Sequence, residues 1–198
     1  MGYIDAMVTK TRVSLSEFLA MEECKPYLEL VDGEVLQKAM PNAAHSALVW
    51  ELNRRIGNYL HDTREGRGET ELRHVDTREE RVYLPDVAVT LKGPSPAEAG
   101  RGPVKMAPDF AIEVLSPDDR AGDIIDRVQF YLRAGVQLTW IVDPDRETVT
   151  VYRPGAAPEE HRAPEMLDAR PVLVSFEADL AELFAVLHDA EDTSPSTV

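Results

Sequence analysis

Residues 109–142 constrain the fold of this chain more than any other stretch. An apolar run from Asp109 to Leu115 is followed by a helical pattern through Ile124, Ile125, Val128, Tyr131 and Leu132 that stops at Gly135. A second apolar run, Leu138 to Val142, comes directly after it. Strand, helix and strand within about 35 residues make a βαβ unit, which demands a parallel pair of strands and a right-handed crossover. Asp118 or Asp119 is placed to cap the helix. Asp143-Pro144-Asp145-Arg146 then turns the chain into an antiparallel strand, Thr148 to Tyr152, and two more short strands and a helix from Asp179 to Leu187 follow.

The N-terminal half adds elements of both kinds. Ser14 and Glu17 form a capping box at the start of a short helix, each satisfying a backbone donor that the first helical turn leaves orphaned. Tyr27 to Val31 and Glu34 to Met40 are extended runs joined by Asp32-Gly33, a pair suited to the positive φ of a two-residue hairpin turn. Between Asn42 and His61, Leu48, Val49, Leu52, Ile56, Tyr59 and Leu60 recur at three- and four-residue spacing, which predicts the longest helix. Thr63 to Glu69 reads as a loop. Leu72 to Val75 and Val82 to Leu91 read as strands, with Pro85 confined to a strand start, bulge or edge because it has no amide hydrogen. A long loop runs from Gly93 to about Pro108. The expectation is one α/β (α+β) domain over residues 14–188, with an N-terminal extension at 1–13 and an acidic tail at 189–198.

Charge and cysteine content narrow the function classes. The chain has 36 acidic and 21 basic residues, a formal charge of −15, which disfavours non-specific attachment to nucleic acid through a broad basic surface. Residues 159–198 hold ten of the acids against Arg162 and Arg170, a local −8, so about half of the excess lies in that segment. Cys24 is the sole cysteine, excluding an internal disulfide, a zinc cluster of cysteines or a CxxC redox pair. Neither a signal sequence nor an apolar run of about 18 residues is seen, so the expectation is a cytoplasmic protein with no membrane partner. Phosphate-binding glycine loops, GxSxG and HExxH are absent, and no organic cofactor is expected.

Two acids stand out because they lie within apolar strands. Glu113 is flanked by Ala111, Ile112, Val114 and Leu115, and Asp86 lies between Val82-Tyr83-Leu84-Pro85 and Val87-Ala88-Val89. A buried carboxylate must be paired, protonated or bound to a cation. Two strand carboxylates 27 positions apart can converge on a hard cation, with a backbone carbonyl such as that of Val114 completing the set. His45 falls on the first turn of the long helix, where a helix-start or core role is the simpler reading. His61, His74, His161 and His188, among polar neighbours, read as surface residues.

The ordered set Pro85-Asp86-Val87-Ala88-Val89, Phe110 to Pro117, Asp126-Arg127-Val128-Gln129-Phe130-Tyr131, Ala134-Gly135-Val136 and Trp140-Ile141-Val142-Asp143-Pro144 resembles the signature of the Uma-two family, a branch of the PD-(D/E)XK restriction-endonuclease-like superfamily. Tyr27 to Glu34 followed by His45 is similar to its opening motif. The resemblance covers about Ser14 to Leu187. It implies a four- or five-stranded mixed sheet flanked by helices, Asp86 and Glu113 as ligands of Mg²⁺ or Mn²⁺, and hydrolysis of DNA phosphodiesters. Self-association suits so compact a domain, and a homodimer could pair two sites to cut two strands.

The superfamily lysine is not two residues after Glu113, where Leu115 stands. The resemblance places its equivalent on the following helix, at Arg127. Arginine can stabilise phosphate charge but cannot act as a base. Arg127 also has a plain reading as a surface partner of Asp123, and Lys105 is a second candidate for the missing cation. Glu29, Glu34 and His45 are auxiliary candidates from the N-terminal elements, Glu29 facing either the site or solvent. Arg54, Arg55, Arg64, Arg67, Arg73, Arg78 and Arg81 form a basic cluster interspersed with acids, read either as a DNA contact or as a solvated surface. The loss of the lysine and the negative charge also fit a catalytically inactive relative that binds protein or nucleic acid.

Overall fold

The computed structural model describes residues 12–99 and 102–188. The acidic tail, 189–198, and most of the N-terminal extension lie outside the described residues. In chain order the elements are α1 (Leu15–Leu19), β1 (Leu28–Val31), β2 (Glu34–Gln37), α2 (Ala43–Thr63), β3 (Arg67–Glu69), β4 (His74–Asp76), β5 (Arg81–Tyr83) and β6 (Val87–Thr90). They continue with α3 (Pro96–Ala99), β7 (Phe110–Val114), α4 (Ala121–Ala134), β8 (Leu138–Asp143), β9 (Thr148–Tyr152), β10 (Glu159–Arg162), β11 (Met166–Ala169), β12 (Leu173–Asp179) and α5 (Leu180–Ala185).

The βαβ unit organises the molecule. β7 and β8 pair in parallel, from Phe110 opposite Leu138 to Val114 opposite Val142, and α4 crosses between them. Gly135 ends α4 at φ 107°, a left-handed conformation that glycine adopts without a Cβ penalty. Neither Asp118 nor Asp119 caps the helix: the N-cap is Arg120, without a side-chain bond. Asp119 instead accepts from the Ser116 amide at 2.7 Å, so its carboxylate stabilises the turn that precedes the helix.

Around this pair a mixed sheet runs in the order β10-β9-β8-β7-β6-β3. It has six strands, more than the four or five the resemblance implied. One extra edge is β3, read from sequence as loop because Arg67-Gly68-Glu69 has no apolar pattern; it pairs antiparallel with β6 through its backbone. At the other edge, polar β10 pairs with β9. Three strands, β10, β11 and β12, follow β9 where two were expected.

The apolar run 82–91 is not one strand. It breaks at Leu84-Pro85-Asp86, so that β5 joins a four-stranded sheet, β2-β1-β5-β4, while β6 joins the large one. Proline supplies no ladder donor, and the groups freed at the break are bonded by side chains: the Leu84 amide donates to Glu29 Oε1 at 3.0 Å and the Leu84 carbonyl accepts from Lys38 Nζ at 2.5 Å. The β1–β2 hairpin turns at Asp32 and Gly33 with φ of 51° and 76°, as expected for its Asp-Gly turn. It is thereby tied to the centre of the molecule.

The main core fills the side of the large sheet covered by α2, α5 and the β11–β12 hairpin. Helix α2 presents Leu48, Leu52, Ile56 and Leu60 to it, the predicted stripe. On the other side lie α4 and β5, where Tyr83, Ala111, Phe130, Tyr131 and Val136 pack together. The small sheet has its own cluster with α1, around Phe18, Leu30, Val75 and Val82. His74 is not a surface residue: it is fully buried, stacked on Tyr83 with ring centroids 5.7 Å apart. The 93–108 loop contains α3 and reaches β4 through a bridge between Val104 and His74.

Candidate active site

Asp86 leaves the strand break at the start of β6, and Glu113 points from β7 to the same side of the sheet. Both are buried, and both line a cleft of about 190 Å³ with Lys38, His45, Val114 and Arg127. Tyr27 and Met40 also line it. Of the residues singled out from sequence, Asp86, Glu113, Val114, Arg127, His45 and Glu29 are brought together. Glu34, opposite Val31 at the start of β2, does not line the cleft.

Each carboxylate is held by a specific set of donors. Asp86 Oδ2 accepts from the Val114 amide at 2.8 Å and lies 3.2 Å from His45 Nε2, while Oδ1 is 2.8 Å from Lys38 Nζ. Burial alone would raise its pKa; the Lys38 ammonium and the His45 contact outweigh that and hold it well below the usual carboxylate range. Glu113 Oε1 accepts from the Tyr131 hydroxyl, and Oε2 lies 3.3 Å from Arg127 Nη1 and 3.8 Å from Lys38 Nζ. Burial, with Asp86 and Glu29 adding repulsion, pushes Glu113 up to about 7 against the pull of Arg127 and Lys38. Tyr131 is raised well above its ordinary value by burial and by Glu113, so it stays protonated and donates.

Arg127 does not pair with Asp123 on the helix surface. Its guanidinium spans Glu113 and Glu29, the latter at 2.8 Å from Nη2, using the fork geometry that separates arginine from lysine. Burial opposes its charge, and the two glutamates more than restore it. Glu29 is therefore a buried member of the cluster rather than an exposed hairpin acid.

Lys38 is the site residue that the sequence does not single out. It follows β2, its amide still bonded to the Tyr27 carbonyl at 2.8 Å, and a lysine at a strand end after Gln37 carries no signal of burial. Burial disfavours its charge, but Glu113, Asp86 and Glu29 hold its pKa above the ordinary value. The one sequence clue is indirect: two buried carboxylates require a cation between them. Lys105, the other candidate, does not line the cleft.

Three carboxylates, Asp86, Glu113 and Glu29, face two cations. A divalent cation would offset the mutual repulsion of these acids, which helps to raise Glu113. Among the described residues no three His, Cys, Asp or Glu side chains form a complete metal cage. Asp86 and Glu113 supply the partial oxygen set that Mg²⁺-like ions use when water and substrate phosphate fill the remaining positions.

The basic cluster is largely neutralised from within. Arg54 and Arg55 bind Glu51, Arg67 binds Glu69, Arg73 binds Glu23, Arg78 binds Asp76, and Arg81 binds Asp32 and Asp126. Among the described residues, no helix is long and apolar enough to cross a membrane.

Comparison with known proteins agrees with this geometry. No curated protein matches the chain significantly. A crystal structure described as "a putative nuclease belonging to DUF820 from Anabaena variabilis ATCC 29413" superposes with a TM-score of 0.80 at 31% sequence identity, over 88% of this chain and 99% of that one. Residues 15–181 match the Uma2 family, described as "Putative restriction endonuclease". With the whole ordered motif set inside that match, the chain belongs to the Uma2 family and has a nuclease-like fold.

Proposed function

We propose that this protein is an endonuclease that hydrolyses DNA phosphodiesters with a divalent cation, Mg²⁺ or Mn²⁺, held by Asp86 and Glu113 with the Val114 carbonyl. One observation carries the reading: two buried carboxyl groups, Asp86 just before β6 and Glu113 on β7, converge at one cleft. A cation there would lower the pKa of an attacking water and stabilise charge on the scissile phosphate. The protein's own groups do the rest. Tyr131 and Arg127 orient Glu113, Val114 N–H and His45 orient Asp86, and Glu29 fixes Arg127. The arginine adds positive charge beside the phosphate without taking a proton. In a cytoplasmic homodimer, two such clefts would cut both strands.

Plasmid and single-stranded DNA incubated with Mn²⁺ test the proposal. The wild type should cleave, and Asp86→Asn should lose about 10²–10³-fold in rate, as removal of several kcal/mol of transition-state stabilisation requires. Cleavage that survives Asp86→Asn overturns it. A second reading, an inactive nuclease-fold binding module, is favoured by the ion-paired state of both Lys38 and Arg127. DNA binding without cleavage in any divalent cation would establish that reading.

A further inference from the structure

The oxygen atoms of the carboxylate pair are not equally available. Asp86 Oδ2 is committed to the Val114 amide and His45, and Glu113 Oε1 to the Tyr131 hydroxyl. That leaves Asp86 Oδ1 and Glu113 Oε2, the latter also 3.3 Å from Arg127 Nη1, as the oxygens turned toward the cleft. Lys38 Nζ sits on both, at 2.8 and 3.8 Å. A divalent cation entering between the two strands must therefore take the same two oxygens.

We propose that Lys38 is a resident counter-cation of the Asp86–Glu113 pair, displaced by the divalent cation and thereby released to face the substrate phosphate. The inference rests on the cation-dependent reading above. Without a cation, Lys38 offsets the repulsion between the carboxylates and bonds the Leu84 carbonyl at the strand break. With one, the divalent cation and the Lys38 ammonium cannot both occupy the space between Asp86 Oδ1 and Glu113 Oε2. The flexible stem, anchored at its own amide to Tyr27, lets the ammonium swing into the cleft. Metal loading and the appearance of a phosphate-binding charge become one event.

Calorimetric Mn²⁺ titration of wild type and Lys38→Met, without DNA, tests the displacement. Removing the competitor should tighten Mn²⁺ binding by about tenfold or more, equivalent to at least about 1.4 kcal/mol. The metal-free variant should melt roughly 10 °C lower, because a buried carboxylate pair loses its partner. Amine footprinting of the wild type by mass spectrometry covers the case in which the variant fails to fold. Lys38 should be protected without Mn²⁺ and labelled with it, while exposed Lys25 reacts equally in both. Binding by the variant alone would overturn displacement, since Lys38 would then bar the cation outright rather than give way to it. If the wild type binds Mn²⁺ but the variant binds no tighter, or the Lys38 label does not change, the inference falls and the cation reading stands. If neither protein binds Mn²⁺, both fall.

Discussion

The two faces of β7 are built on opposite principles. Phe110, Ile112 and Val114 point into the main core, where they pack among apolar side chains of the sheet, α2 and α5. Ala111 and Glu113 point the other way, toward α4, where five apolar or aromatic residues adjoin a cluster of buried acids and cations. Alternation along a strand puts the two environments one residue apart, so a register slip of one position would exchange them. The apolar face supplies stability that is insensitive to pH and salt. The charged cluster on the other face depends on pairing, and desolvation makes each of its members costly to leave unpartnered. A strand that forms the wall of a core can thus hold a reactive floor rigidly.

Breaking the apolar face should cost most. Trp140 is fully buried on β8 and meets Phe110 edge-on at 5.0 Å. Trp140→Ala should lose about 3–5 kcal/mol in urea unfolding, while the folded fraction keeps its Mn²⁺ affinity. On the charged face, Arg127→Met strands Glu29 and Glu113, with a loss of about 3 kcal/mol. Adding Glu29→Gln should recover part of that, whereas it should recover nothing in Trp140→Ala. Equal recovery in both backgrounds would show that the two faces are not separate energetic units.

The apolar face was also the legible one. Strands β7 and β8, helix α4 and the stripe on α2 announce themselves because burial of a whole face imposes a period on the sequence. The carboxylates Asp86 and Glu113 are visible against that background as exceptions to it. Lys38 and His74 are not, because each lies in a short segment whose pattern also fits a solvent-exposed hairpin or turn, and only tertiary packing buries them; Glu29 is legible as a candidate, but strand alternation leaves open whether it faces the site or solvent. The break at Leu84-Pro85-Asp86 is hidden for a related reason. Both strands it separates are apolar, and what distinguishes them is which sheet each joins, a choice made by Glu29 and Lys38 from 55 and 46 residues away. Polar β3 joins its sheet through the backbone, to which hydrophobic period is blind.

The smallest effect separates the faces by pH. His74, packed on Tyr83 beside the charged face, donates from Nδ1 to the Met106 carbonyl at 2.9 Å; with the hydrogen on Nδ1, the ring is neutral when Nε2 is bare. Burial lowers its pKa from the ordinary value. In the unfolded chain the ring takes a proton near pH 6.5, so below that value the unfolded state binds more protons than the folded one. Stability from His74 is therefore complete above about pH 6.5 and lost as the pH falls toward its lower folded pKa, with a slope of at most about 1.4 kcal/mol per unit. Glu113, raised to about 7, works in the opposite sense, its contribution being lost as pH rises through that value. The difference between wild type and His74→Gln isolates the histidine: urea unfolding should show it shrinking from pH 7.5 to 5.5. Trp140→Ala, which removes no titrating group, should shift the whole pH curve without changing its slope, and a change of slope there would mean that the core face governs the protonation of the other.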